Sequence, residues 1–182
     1  MSNQLKKAEQ LATQAHAGQF RRDGKTPYIN HPRDVVSRVD DIDAKIVAWL
    51  HDILEDTDVT EEDLYDSGFT YPQIHAIKLL TKQPGQSYDD YLDHITTSNI
   101  ARRVKIADMQ SNLDDDPTER QIKKYSAGLD KLNTKHSYDM YFWKNNKEYI
   151  KNIRAHNIDE AKKKLCAIYD GVDRIKGWQY VN

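Results

Sequence analysis

The chain has 182 residues, of which 38% are hydrophobic and 31% charged, and its formal net charge is −2. This composition predicts one globular domain with a well-solvated surface, and the lack of a basic excess argues against nucleic acid or an anionic membrane as a partner. One cysteine, Cys166, excludes an internal disulfide and a thiolate zinc cluster, and no apolar run reaches the roughly 18 residues of a membrane span, so we expect a cytoplasmic protein.

The N-terminal two thirds are predicted to be helical. Amphipathic spacing predicts a helix over residues 3–17, and a loop follows over 18–30. His31 and Pro32 open a helix that runs to about residue 39, because proline fits the first helical turn. A helix with a buried apolar face is predicted over 43–55, with Asp43 as its N-cap. Further helices are predicted over residues 60–66, 72–82, 87–97 and 99–113.

The C-terminal third is also predicted to be helical, over residues 118–132, 135–153 and 158–174, where apolar positions recur with a period near 3.6. We interpret the aromatic stretch YDMYFW (138–143) as core or as the interface of a homo-oligomer rather than as a platform for a base. Only the neighbourhood of Thr70 and Tyr71 and the tail GWQYV (177–181) could pair as strands. The predicted fold class is therefore all-α, a single-domain helical bundle.

Histidines and carboxylates recur at a spacing that favours a metal site. Successive helical residues are about 100° apart, so the side chains of His51 and Asp52 diverge by that angle, while Glu55 at i+4 from His51 returns to the same face. With His31 they bring two imidazoles and a carboxylate to one point, which suits a borderline divalent cation. Asp108 is the best candidate for one more carboxylate ligand. The alternative, a core histidine, leaves the charged groups on this hydrophobic helix unexplained.

Three segments in order carry a family resemblance: YINHP (28–32), LHDILEDT (50–57) and VKIADMQSN (104–112). With AHAGQFRRDGKTPYINHP and LLTK, they resemble the HD-domain phosphohydrolases, specifically the hydrolase domain of RelA/SpoT-type enzymes in its small stand-alone form, the small alarmone hydrolases. The resemblance covers roughly residues 5–115. It implies one hydrolase domain over 1–182, with the motifs in 1–115 and C-terminal helices of 116–182 completing the pocket.

The resemblance also implies roles for these residues. The metal ligands would be His31, His51, Asp52 and Asp108. The Glu55–Asp56 pair would orient or deprotonate the attacking water, although Asp56 could instead cap the following turn. The family implies Mn²⁺, whereas the donor set alone also admits Zn²⁺, Fe²⁺ or Ni²⁺.

Substrate contacts follow from the same resemblance. A basic loop upstream of a metal histidine suits an anionic substrate, because arginine binds phosphate oxygens in a bidentate manner. Lys105 is instead expected to be structural, as an ion-pair partner near the metal helix. The predicted substrate-binding residues are Arg21, Arg22, Tyr28, Lys82, Asn112, Arg120 and Tyr125.

The implied activity is hydrolysis of the 3′-pyrophosphate of guanosine tetra- and pentaphosphate, giving GDP or GTP and pyrophosphate. Two departures bear on the substrate: Met109 stands where the family usually has Lys or Arg, and the loop before YINHP is one residue longer than usual. One alternative is a phosphohydrolase that acts on the 2′-phosphate of NADPH, a deoxynucleoside triphosphate or an adenosine alarmone. Another is a protein that binds a nucleotide without turnover.

Overall fold

A computed structural model describes residues 3–145, 147–169, 172 and 174–181. The described residues form two compact units, the first ending at Leu129 and the second beginning at Asp130. None of the described helices combines the length and the apolar character that a membrane span requires. The expectation of one hydrolase domain over the whole chain stays a prediction.

The first unit is helical, as predicted. Its central helix is α3 (Ile42–Leu50), which packs against α1, α2, α6 and α8 and buries a continuous apolar face that includes Ile46, Val47 and Leu50. The other helices of this unit are α1 (Asn3–Ala15), α2 (Asn30–Ser37), α4 (Ile53–Asp56), α5 (Glu61–Asp66), α6 (Tyr71–Leu80), α7 (Tyr88–Thr96) and α8 (Asn99–Leu113). Helix α9 (Glu119–Asn133) contains the point at which the chain passes from the first unit to the second.

The single helix predicted over 43–55 is in fact two helices with a turn between them. Asp41, rather than Asp43, is the N-cap of α3, because its extended backbone lets its carboxylate accept a hydrogen bond from the Ala44 N–H at 2.8 Å. The chain leaves α3 at His51, and Asp52 adopts φ −100° and ψ −2°. This sparsely populated bridge region is frequent at functional sites.

Thr70 and Tyr71 do not form a strand. Thr70 is instead the N-cap of α6, in a capping box in which its backbone N–H donates to the Gln73 side chain at 2.8 Å. Pro72 in the first turn of the helix is consistent with this start, since its missing N–H would have no helical partner.

The second unit corrects the all-α prediction. Residues predicted as a helix over 135–153 form an antiparallel hairpin of β1 (His136–Lys144) and β2 (Lys147–Ala155), with Lys144 opposite Lys147. Tyr138, Met140 and Phe142 are all buried, which is the period of two that a strand requires. Asn145, at φ 49°, provides the left-handed backbone for the tight turn.

The tail does pair as a strand. β3 (Arg174–Val181) lies against β1, giving the order β2-β1-β3, and the helix predicted over 158–174 is the shorter α10 (Ile158–Ile168). Helix α10 packs Ala161 and Leu165 against Tyr138 and Phe142. The core interpretation of the aromatic stretch is thus confirmed for these two rings, whereas the aromatic helices expected to form an oligomer interface are strands.

Candidate functional site

Four side chains meet at one point of the first unit. His31 comes from the first turn of α2, His51 and Asp52 from the turn between α3 and α4, and Asp108 from the middle of α8. The two Nε2 atoms are 3.3 Å apart. Asp108 Oδ1 lies 3.1 Å from His31 Nε2, and Asp52 Oδ2 lies 2.9 Å from His51 Nε2. The two remaining nitrogen-to-oxygen separations are both 3.7 Å.

Hydrogen bonds on the far side of each ring set the orientation of both histidines. His51 Nδ1–H donates to the Ala48 carbonyl at 2.8 Å. The Ser111 hydroxyl donates to Asp34, so its oxygen accepts from His31 Nδ1–H at 3.1 Å. Both Nε2 atoms therefore face the cluster, as ligating histidines do when the second nitrogen is engaged.

The spacing of these four atoms fits a divalent cation. This four-atom cluster consists of His31 Nε2, His51 Nε2, Asp52 Oδ2 and Asp108 Oδ1. Ligands about 2.1 Å from one ion lie about 3.0 to 3.4 Å from each other in octahedral or tetrahedral arrangements. The separations between neighbouring atoms of the cluster, 2.9 to 3.7 Å, span that range. His31, His51 and Asp108 are all buried and offer donor atoms within 4.8 Å of one another, which identifies a potential metal-binding group.

Charged groups in and beside the cluster balance one another. Burial alone would raise the pKa of Asp108, but Lys105, whose Nζ lies 2.8 Å from Asp108 Oδ2, holds it well below its usual range. Burial likewise opposes a charge on His51, yet the adjacent Asp52 and Asp108 outweigh it and raise the pKa of His51 to about 10. The expected ion pair of Lys105 is confirmed.

A cavity of about 320 Å³ opens beside the cluster, within the first unit. That volume falls in the range of pockets for small ligands. Among the described lining residues are three members of the cluster but not His51, together with cations and aromatic rings from the loop before α2 and from α7, α8 and α9. Ten of the residues expected at the site line it: Arg21, Arg22, Tyr28, His31, Asp52, Glu55, Asp56, Asp108, Asn112 and Tyr125.

Glu55 and Asp56 stand at the cavity and are exposed. The Tyr28 hydroxyl links Asp56 to the cluster, since it lies 2.5 Å from Asp52 Oδ2 and 3.2 Å from Asp56 Oδ2. Burial and these neighbouring carboxylates raise the pKa of Tyr28, so it remains a hydrogen-bond donor. Glu55 Oε2 accepts from the backbone N–H of Lys82 at 3.3 Å.

The two arginines of the basic loop are held by the turn after α8. Arg21 forms an ion pair with Asp115. Arg22 donates to the Asp115 carbonyl at 2.7 Å and to Gln121 Oε1 at 2.5 Å. These hydrogen bonds to Asp115 and Gln121 hold both guanidinium groups at the cavity. A phosphate group could take the place of these acceptors or bind beside them.

Some expected residues lie elsewhere. Among the described residues that line the cavity, neither Lys82 nor Arg120 contributes, and Arg120 is exposed. Asn112 does line it, while donating to Asp108 Oδ1 at 2.6 Å. Met109 is fully buried, with the Tyr88 hydroxyl 3.5 Å from its sulfur, so its departure from the family pattern falls in the core.

The sequence interpretation missed two polar residues of the cavity. Gln121 and Lys124 both come from α9 and follow one another at a spacing of i and i+3. With Tyr125 they form the cavity-facing side of that helix. The signal that could have revealed them is this helical spacing, which assigns Gln121 and Lys124, rather than Arg120, to the face shared with Tyr125.

Known proteins resemble this chain. A guanosine-3′,5′-bis(diphosphate) 3′-pyrophosphohydrolase of Haemophilus influenzae is 48% identical over 117 residues, covering 57% of this chain and 17% of that protein. The guanosine-3′,5′-bis(diphosphate) 3′-pyrophosphohydrolase MESH1 of Danio rerio is 32% identical over 117 residues, covering 58% of this chain and 64% of that protein. The chain thus spans less than two thirds of the length of either relative.

A solved structure shows the same likeness. It is described as a metazoan ortholog of SpoT that hydrolyzes ppGpp and plays a role in starvation responses. The match has a TM-score of 0.61 at 25% sequence identity and covers 73% of this chain and 87% of that one. No family model matches the chain.

Proposed function

We propose that this chain, which is an HD-type protein like the hydrolase domain of RelA/SpoT enzymes, hydrolyses the 3′-pyrophosphate of guanosine tetra- and pentaphosphate to GDP or GTP and pyrophosphate. The observation that carries this proposal is the cluster of two imidazole and two carboxylate atoms at the wall of a cavity lined by arginine and lysine. The relatives whose names state this reaction support the choice of substrate.

His31, His51, Asp52 and Asp108 would hold one divalent ion, because their spacing and mixed donors fit such a cation. When bound, the ion would lower the pKa of a coordinated water and neutralise charge as the P–O bond breaks. We propose Mn²⁺ on the strength of the family resemblance, and the donor set also suits Zn²⁺, Fe²⁺ or Ni²⁺.

Glu55 would accept the proton of the attacking water, with Asp56 beside it orienting the same water. The oxygen of that water bonds to the phosphorus, the bond from phosphorus to the ribose 3′ oxygen breaks, and the freed 3′ oxygen takes up a proton. The Tyr28 hydroxyl would hold Asp52 and Asp56 at a fixed separation, because it contacts both.

Arg21 and Arg22 would bind the phosphate groups, since their guanidinium groups stand at the cavity and pair with acceptor oxygens there. Asn112 and Tyr125 would contact the nucleoside. Lys82 and Arg120 stay in the proposal as more distant contributors of positive charge. One hydrolase domain, a cytoplasmic location and self-association likewise stay predictions.

A substrate panel tests this proposal. The metal-loaded protein is assayed for release of pyrophosphate and phosphate from guanosine tetraphosphate, its adenosine counterpart, NADPH and the deoxynucleoside triphosphates. The proposal expects pyrophosphate from the guanosine substrate and little product from the others. A matched Asp52→Asn variant should be inactive throughout, because it removes one of the four proposed ligand atoms.

Two other results would reassign the site. Phosphate from NADPH, or triphosphate from a deoxynucleotide, would keep the metal chemistry and change the substrate. No product from any member of the panel, together with tight nucleotide binding, would indicate a protein that sequesters its ligand.

A further inference from the structure

Four cationic side chains line the cavity, and three of them are already engaged. Arg21 pairs with the Asp115 carboxylate, Arg22 binds the Asp115 carbonyl and Gln121, and Lys105 pairs with Asp108. Lys124 is the fourth. Within the part of the chain that the structure describes, no carboxylate oxygen lies within ion-pair distance of Lys124 Nζ. The ammonium group lies instead over two aromatic rings.

The position of Lys124 is nevertheless defined. Its Nζ lies 4.5 Å from the centroid of the Tyr88 ring and 5.4 Å from that of Tyr125, so two electron-rich faces hold the ammonium group at the cavity. Lys124 is one helical turn beyond Gln121, which contacts Arg22. Lys124 therefore places a positive charge one turn of α9 beyond the point at which Arg22 contacts that helix.

Burial and cationic neighbours act against a positive charge on Lys124. Partial burial at the cavity, together with the charges of Lys105, Lys82 and Arg120, outweighs the attraction of Asp108 and lowers the pKa of Lys124. An anionic ligand would relieve this repulsion. Its side chain is also exposed enough to meet a ligand that enters the cavity.

The proposed substrate carries a second diphosphate, and its negative charge calls for a cation away from the bond that is cleaved. It carries diphosphates on the 3′ and 5′ oxygens of one ribose, and the 3′ group must lie at the four-atom cluster to be cleaved. We propose that Lys124 binds the 5′-diphosphate and makes the enzyme selective for nucleotides that carry one. This inference rests on the proposed function and names a specificity-determining residue for it.

The test compares two substrates that share the scissile 3′-diphosphate and differ by one 5′ phosphate: guanosine 3′,5′-bis(diphosphate) and guanosine 5′-monophosphate 3′-diphosphate. The variants are Lys124→Met, Lys124→Arg and the control Lys123→Met, which changes the adjacent exposed lysine that does not line the cavity. Lys124→Met should raise KM for the bis(diphosphate) about tenfold and leave kcat within about twofold. It should also abolish the preference for the bis(diphosphate) over the 5′-monophosphate 3′-diphosphate. Lys124→Arg should retain the preference, and Lys123→Met should match the unmodified protein.

A binding measurement separates this inference from the proposed function. GDP carries the 5′-diphosphate and needs no turnover, so its Kd for the metal-loaded protein is measured by calorimetry beside that of GMP. Lys124→Met should weaken GDP binding about tenfold and GMP binding much less. If the unmodified protein hydrolyses neither of the two 3′-diphosphate substrates but this difference in binding holds, the proposed function fails and the role of Lys124 stands. Equal losses for both nucleotides, or no loss for either, would overturn the role of Lys124.

Discussion

Glu55 stands beside the four-atom cluster without contributing an atom to it, so its proposed role can be separated from metal binding. Glu55→Gln keeps the shape of the side chain and removes the base. We expect the variant to retain the metal and to lose about a hundredfold or more in kcat, which is the usual contribution of a positioned general base. Metal content is measured by mass spectrometry beside the turnover rate.

The exposed Glu62 in the first turn of α5 does not line the cavity and provides the matched control. Glu62→Gln should leave both metal content and rate unchanged. A Glu55→Gln protein with full activity would remove Glu55 from water activation and leave Asp56 as the proposed base.

Ser111 is the residue through which the fold orients His31. It is 5% exposed, accepts from His31 and donates to Asp34, while Arg38 holds Asp34 at 2.8 Å. Ser111→Ala leaves the His31 Nδ1–H and Asp34 each without this partner, so we expect metal affinity to fall about tenfold or more.

Titration with Mn²⁺ measures this affinity directly. The control is Ser37→Ala, which removes an exposed hydroxyl at the end of α2, the helix of His31; that hydroxyl bonds to the Asp34 carbonyl and to neither histidine. An unchanged affinity in Ser111→Ala would mean that His31 keeps its orientation through packing alone.

The meeting of the four cluster residues was predictable from single residues, whereas other residues of the cavity were not, and the difference has a physical cause. His31, His51, Asp52 and Asp108 stand in motifs that restrict each residue, so the sequence indicated a cluster before the distances were known. Lys124 lies in no such motif. An exposed lysine on a helix has many roles, and only its position over two tyrosine rings singles it out.

Among the secondary-structure elements, the approach of α9 to the site depends on one glycine. An added Cβ at Gly128 would lie 2.8 Å from the Met109 sulfur and 3.1 Å from the Tyr88 hydroxyl. Glycine inside a helix costs about 1 kcal/mol relative to alanine, so its presence here is explained by this close contact.

We therefore expect Gly128→Ala to lower the free energy of unfolding by about 1 kcal/mol, although alanine is the better helix former, because overpacking costs about 1 to 3 kcal/mol. Urea unfolding measures the change. The exposed Ala127 next to it allows the reverse control, since Ala127→Gly should destabilise by about 1 kcal/mol through helix propensity alone. A more stable Gly128→Ala protein would show that Met109 yields without cost.

The first turn of α10 contains a partly buried carboxylate, that of Glu160. Glu160 pairs with Lys164 at 2.6 Å and with His156 at 2.8 Å. Burial opposes its ionisation, but these two partners outweigh that effect and lower its pKa to about 2. Because the pKa is lower in the folded state, the stabilisation is complete above about pH 4.5 and is lost as the pH falls towards 2.

Glu160→Gln should therefore reduce stability at pH 7 by about 1 to 2 kcal/mol, and the difference from the unmodified protein should shrink between pH 4.5 and 2. Urea unfolding across this pH range measures it. Glu148→Gln, which removes the exposed pair with Lys176, should change stability by less than about 0.5 kcal/mol. A difference that did not depend on pH would refute the ionic origin of the effect.

The hairpin was the element that sequence reasoning could not identify. Tyr138, Tyr141 and Phe142 fit a helical period, and the same stretch also fits the alternation of a strand. Short aromatic-rich stretches satisfy both patterns, and the choice is made by what packs against them. Here α10 covers the alternate side chains, and that contact between distant residues is not visible in local sequence.

Across the whole molecule, the predicted helical fold was right for the first unit and wrong for most of the second. The first unit is helical and brings four side chains from three separate segments to one cluster. The second unit is a three-stranded sheet with one helix, and no motif described it. The formal charge of −2 hides the local arrangement, in which positive side chains gather at a single cavity.

We propose that this chain cleaves the bond between the ribose 3′ oxygen and the adjoining phosphorus. Phosphorus NMR follows that bond when guanosine tetraphosphate is incubated with the protein and Mn²⁺ and the metal is then removed with EDTA. We expect GDP and intact pyrophosphate to appear together in equal amounts, and Asp108→Asn to abolish both. Orthophosphate released stepwise, or an unchanged substrate spectrum from metal-loaded protein, would rule this cleavage out.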